Sequence, residues 1–218
     1  MQYKGSFKEW RIDIHHENDV LTFLYPDGPG TFTQVAHKID SFYNHQKPTF
    51  SQNCSLVHSA WQNKDNPHAQ KIITLLRDDW LWSFNGIAYV PNQGVFIEDN
   101  PRYIYDRVLM FPSNLIKRLE AGDKTVRFVP FGFKTGEQSA RELSKNAFII
   151  ALAGEEGAEK LAQVCGKYPQ KPILYTINNV IEKTITIPSL CSHKKIYIGC
   201  DANHDDSGGY AYAILPKD

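Results

Sequence analysis

The chain has 218 residues, 42% of them hydrophobic and 22% charged, a balance that excludes wholesale disorder. Its 24 Lys and Arg match 24 Asp and Glu, so net charge gives no argument for a nucleic-acid or anionic-membrane partner. No secretory leader or spanning helix is legible, and four cysteines are too sparse for a disulfide framework, so the expectation is a soluble, cytoplasmic protein with free thiols.

Residues 7–14 and 19–25 alternate as half-buried strands, with the His15–Asn18 stretch as a hairpin turn. Thr31 is placed to cap a helix whose apolar face is Phe32, Val35, Ala36, Ile39 and Phe42. The polar stretch 44–55 reads as a linker. Asn66-Pro67 starts the next helix, with Ile72, Ile73, Leu76 and Trp80 as its buried stripe. An aromatic hairpin follows over 82–101, turning at Pro91–Gly94, and Ser113 is placed to cap a short helix closed by Gly122.

From 126 to 177 the pattern predicts strands over 126–133, 147–153 and 172–177. The intervening helices are one with Ser139 and Glu142 at capping-box spacing and another over 155–168. Because Ala147–Ala153 is continuously apolar, it reads as a strand covered on both faces. Three more strands are expected at 183–187, 194–200 and 209–215. The predicted class is therefore mixed α/β: a parallel βαβαβ unit at about 126–177, antiparallel strands flanking it, and an N-terminal ββα region. The chain reads as one domain over 1–218, with a subdivision into 1–100 and 101–218 as the alternative at Asp99-Asn100-Pro101.

The densest set of hard oxygen ligands follows the strand Ile196–Ile198. Asp201, Asn203 and Asp205 fall at alternate positions, like the first three ligands of a calcium loop. Asp206 then stands where such a loop needs glycine, and Tyr212 where it needs a bidentate acid. Magnesium or manganese needs fewer protein ligands and could use Asp201 with Asp205 or Asp206, so Mg, Mn and Ca are the candidate cations. The competing reading is a solvated hairpin loop, because like charges in water repel only weakly. The sequence YIGCD followed by GGYAYAIL resembles the opening of ribonuclease-H-like domains, but the likeness is confined to this strand–turn–strand and assigns no family.

Cys191, His193, Cys200 and His204 are zinc-ligand types, but an intervening strand would hold the two pairs apart. Lys134 and Gly136, in a loop expected at a strand's carboxyl end, are candidates for an anionic ligand, as is Gly154 at the next such turn. The aromatic block Trp80, Trp82, Phe84, Tyr89, Phe96, Tyr103, Tyr105 and Phe111 is either core or a stacking platform. His15 and His16 face opposite ways if extended, and Cys54 with His58 would pair only on a helix. No GxSxG, HExxH, CxxC or phosphate-loop motif occurs. The reading is therefore a noncatalytic binding or interaction protein, with a protein or small-molecule partner and no membrane. The alternatives are a divalent-cation-dependent phosphoester hydrolase and a binder of small anionic molecules.

Overall fold

The computed structural model describes residues 6–8, 11–42, 45–105, 107–202 and 208–216. Strands β1 (Ser6–Phe7), β2 (Arg11–His16) and β3 (Asp19–Gly30) form an antiparallel run, with Ile12 opposite Phe23 and Ile14 opposite Leu21. Helix α1 (Phe32–Asp40) begins at Thr31, whose side chain accepts from the Gln34 N–H while the Gln34 side chain accepts from the Thr31 N–H. The N-terminal ββα region is thus as the alternation implied.

The stretch 44–55 is not a linker. A second reciprocal cap, Thr49 with Gln52, starts α2 (Phe50–Gln62) inside it. Its polar residues misled because they work inside the protein: Asn53 is fully buried and donates to Trp82 O and Ser83 Oγ, both at 2.8 Å. Helix α3 (Pro67–Asp78) starts at Asn66 as expected, but Trp80 leaves the helical stripe and opens strand β4 (Trp80–Trp82). Strands β5 (Asn85–Val90) and β6 (Gly94–Asp99) make the aromatic hairpin. A small ribbon, β7 (Arg102–Ile104) with β8 (Arg107–Leu109), leads to α4 (Pro112–Glu120), which starts at proline without the expected Ser113 cap.

The largest correction lies in 126–177. Strand β9 (Val126–Val129) pairs antiparallel with β6, then come β10 (Gly136–Glu137), α5 (Ala140–Leu143), α6 (Ala147–Cys165) and β11 (Ile173–Tyr175). Ala147–Ala153 is the first half of α6 and not a central strand. Asn146 caps it by accepting from the Phe148 N–H at 3.0 Å. Phe148, Ile149, Leu152 and Ala153 are buried while Ile150 and Ala151 are partly exposed, the pattern of one helical face. At Gly154 the backbone turns to φ 70°, ψ 168°, a conformation that favours glycine, and the helix then resumes. No parallel βαβαβ unit forms over 126–177, although the class remains mixed α/β. The parallel pairs are instead β11 with β13 (Ile196–Ala202), and β4 with β14 (Gly209–Leu215).

Strand β12 (Thr184–Ser192) turns tightly into β13 as an antiparallel hairpin. β14 does not lie beside β13. It inserts between β3, antiparallel, and β4, parallel, giving the order β1-β2-β3-β14-β4-β12-β13-β11-β10. The segment after Asp201 is therefore not a hairpin turn between neighbours; it joins strands separated by β4 and β12. From β12 the sheet also branches through β5 and β6 to β9, making 12 strands in all. Strands before and after Pro101 share that sheet. Among the described residues no helix is long and apolar enough to cross a membrane.

The sheet carries an apolar cluster on each side. On one side α2, α3 and α6 bury Phe50, Leu56, Phe148 and Leu161 against Ile87, Leu174, Leu190 and Ile198. On the other, α1 and α4 bury Phe32, Ile39 and Leu115 against Trp82, Ala88, Ile187 and Ala213. β5 and β6 are covered on both faces, so they are buried almost throughout. The second cluster does not reach β11, β13 or the end of β12.

A candidate aromatic cleft on the open sheet face

Alternation along β13 sends Ile196, Ile198 and Cys200 into the first core, so Tyr197 and Gly199 face the other way, where the apolar cluster under α1 and α4 does not extend among the described residues. The parallel register sets Tyr175 of β11 opposite Gly199. The Tyr175 and Tyr197 rings lie within 9° of parallel, centroids 6.2 Å apart. Trp80, at the start of β4, reaches over the same glycine: a Cβ built on Gly199 would stand 3.3 Å from the Trp80 ring and 2.9 Å from Ser189 Oγ. Any side chain there would crowd the indole and Ser189 Oγ.

Around these rings is an open cleft of about 600 Å³, within the range that holds a small organic ligand. Asp78, Asp79 and His193 line it together with the aromatics, and the chain returns to its wall at Gly208. Tyr175 is 41% exposed, and Trp80 and Tyr197 are half-buried. The Arg77 guanidinium bonds both oxygens of Asp78, at 2.8 and 3.3 Å, and holds that carboxyl below its ordinary range. Asp79 ends α3, its N–H donating to Leu75 O at 2.9 Å, and its carboxylate has no cation partner among the described residues. Lys195 lies over Tyr197 at 5.9 Å from the ring centroid and is ion-paired with Glu137. Cys191 also lines the cleft, but burial pushes its thiol up to about 12, leaving almost no thiolate at neutral pH.

A second cleft of about 480 Å³ lies where α2 meets α6. His58 and Gln163 on its wall bond each other at 2.8 Å, so their polar atoms are directed to one another. Beneath the β2–β3 turn, Ser55 Oγ is 3.0 Å from His16 Nδ1 and 2.9 Å from Lys160 Nζ. These are the contacts of an activated serine, yet Ser55 is 1% exposed. Burial lowers the pKa of His16, and Ser55 Oγ, hydrogen-bonded to its Nδ1, also accepts from Lys160. The cluster ties the β2–β3 hairpin to α2 and α6.

Of the residues singled out from the sequence, Asp201 is exposed near the end of β13, while Asn203, His204, Asp205 and Asp206 lie outside the described residues. Among the described residues no group of three or more His, Cys, Asp or Glu converges on a metal position. Cys191 and Cys200 stand apart on β12 and β13, and Cys200 is fully buried. Lys134 already has a carboxylate partner, Glu142 at 2.8 Å; Gly136 pairs with Leu174; and Gly154 lies within α6 and not at a strand's end. The aromatic block divides. Trp82, Phe84, Tyr89 and Phe96 are core, Tyr103 bonds Asp40, Tyr105 and Phe111 are exposed, and only Trp80 joins the cleft. Tyr175 and Tyr197 were not singled out. Their one sequence signal is period-two alternation beside buried Leu174, Ile196 and Ile198.

No family model and no curated protein sequence matches the chain. Among solved structures it is similar to one described under accommodation of massive sequence variation in Nanoarchaeota by the C-type lectin fold. The TM-score is 0.56 at 11% identity, over 93% of this chain and 100% of the other. The likeness is one of fold.

Proposed function

We propose that the chain is a noncatalytic binding protein whose ligand seats among Trp80, Tyr175 and Tyr197. The observation that carries this is three partly exposed aromatic rings grouped around one buried glycine, on a part of the sheet that the second apolar cluster does not reach among the described residues. Large aromatics ordinarily contribute by burial, and a cluster left open to solvent is a feature of recognition surfaces. The groups nearest to a nucleophile are poorly suited to attack: the Cys191 thiol is held protonated and Ser55 is closed off from solvent.

The test is a thermal-shift panel of sugars, nucleosides, amines and peptides on the full chain, repeated on Tyr175→Leu and Trp80→Ala chains. Ligand binding to the native state raises its apparent stability. We expect at least one compound class to do so only when both rings are present, and to be recovered unchanged. A stabilising compound insensitive to both substitutions would place binding elsewhere, and a compound converted on incubation would end the noncatalytic reading.

A further inference from the structure

We propose that the cleft is selective for organic cations carrying a methylated ammonium head group. This rests on the binding reading above and names its ligand class.

Two observations converge. The rings of Trp80, Tyr175 and Tyr197 line the cleft; aromatic faces carry negative charge density, and Trp is the strongest of these partners for a cation. Among the described residues that line the cleft, Arg77 is paired with Asp78, which leaves the Asp79 carboxylate without a cation partner. A neutral apolar ligand would leave that carboxylate partly desolvated without compensation, and an anion would meet it directly. A bare ammonium would bring several N–H donors against rings that cannot accept them well. A methylated ammonium keeps the charge and removes those donors, so its desolvation is cheaper and the rings suffice. A volume of about 600 Å³ exceeds the head group alone and leaves room for the body of the ligand.

The experiment compares choline with its neutral carbon isostere, in which a quaternary carbon replaces the nitrogen, by calorimetric titration of the full chain. Choline should bind at least about tenfold more tightly than the isostere. Asp79→Asn should weaken choline by about tenfold while leaving the isostere unchanged. Tyr175→Leu, at a ring open to solvent, should weaken choline with an unchanged melting temperature, and so guards against a Trp80→Ala chain that fails to fold. Equal binding of choline and isostere would overturn the cation class while leaving the cleft a binding site. Absence of choline binding at millimolar concentration, or binding indifferent to Asp79→Asn and Tyr175→Leu, would also overturn it. The compound panel judges the binding reading independently.

Discussion

Trp80 lies against Gly199, the six-membered ring of its indole 3.3 Å from where a Cβ at residue 199 would stand. A Gly199→Ala chain must move that ring or Ser189 Oγ, and overpacking of this kind costs about 1–3 kcal/mol. Ser189 Oγ is the nearer obstacle, at 2.9 Å from the added Cβ. We expect Ser189→Ala to recover part of the loss, so that urea midpoints of the two single variants and the double variant are non-additive. Strict additivity would mean that the close approach is absent.

The half-buried His16 makes stability depend on pH. Its folded pKa is lowered by burial and by Lys160, against the opposing pull of Glu17, Glu156 and Asp19. The unfolded chain therefore takes up the proton first. Stability is full above the ordinary value of 6.5, falls as pH drops from there through the folded value, and levels off below it. His16→Asn offers an amide oxygen near the position of Nδ1 without titrating. It should flatten the fall in urea midpoint between about pH 7 and about pH 5. The remaining slope belongs partly to His58, also lowered by burial. A slope unchanged by His16→Asn would remove His16 from the account.

What the sequence made legible was local. The caps at Thr31 and Asn66 and the turn before Gly94 depend on neighbours a few residues away, and each stands where expected. The insertion of β14 between β3 and β4 depends on contacts across most of the chain, and no local pattern encodes it. The cleft suffers the same way, because Trp80, Tyr175 and Tyr197 come from three strands brought together only by that topology. Ala147–Ala153 failed for a different reason: a short apolar run suits a covered strand or a buried helix equally, and the deciding residue is Asn146 before it.

Asn146 therefore yields a sharp expectation. Besides capping α6 it donates to Lys134 O at 2.8 Å and to Gln138 Oε1 at 3.0 Å, holding the preceding loop to the helix start. Asn146→Ala should cost more than an ordinary cap, about 2 kcal/mol, because the buried Gln138 amide also loses its partner. Asn146→Asp keeps the capping oxygen and loses the two donated bonds, so it should fall between them. Chemical denaturation of the three chains gives the order, and an alanine variant as stable as the parent would contradict the cap.

The remaining question from the sequence is whether Asp201 holds a cation. It is exposed, and its expected co-ligands Asn203, Asp205 and Asp206 lie outside the described residues, so the test belongs in solution. Melting temperature should be followed with magnesium, manganese and calcium, for the parent chain and for Asp201→Asn. A bound cation stabilises the native state by mass action, and Asp201→Asn would then abolish the increment. Without metal the substitution should move stability by no more than about 0.5 kcal/mol, as at an ordinary surface position. If the increment survives both Asp201→Asn and joint replacement of Asp205 and Asp206, the ion binds elsewhere. If the parent shows none, no cation role remains for these carboxylates.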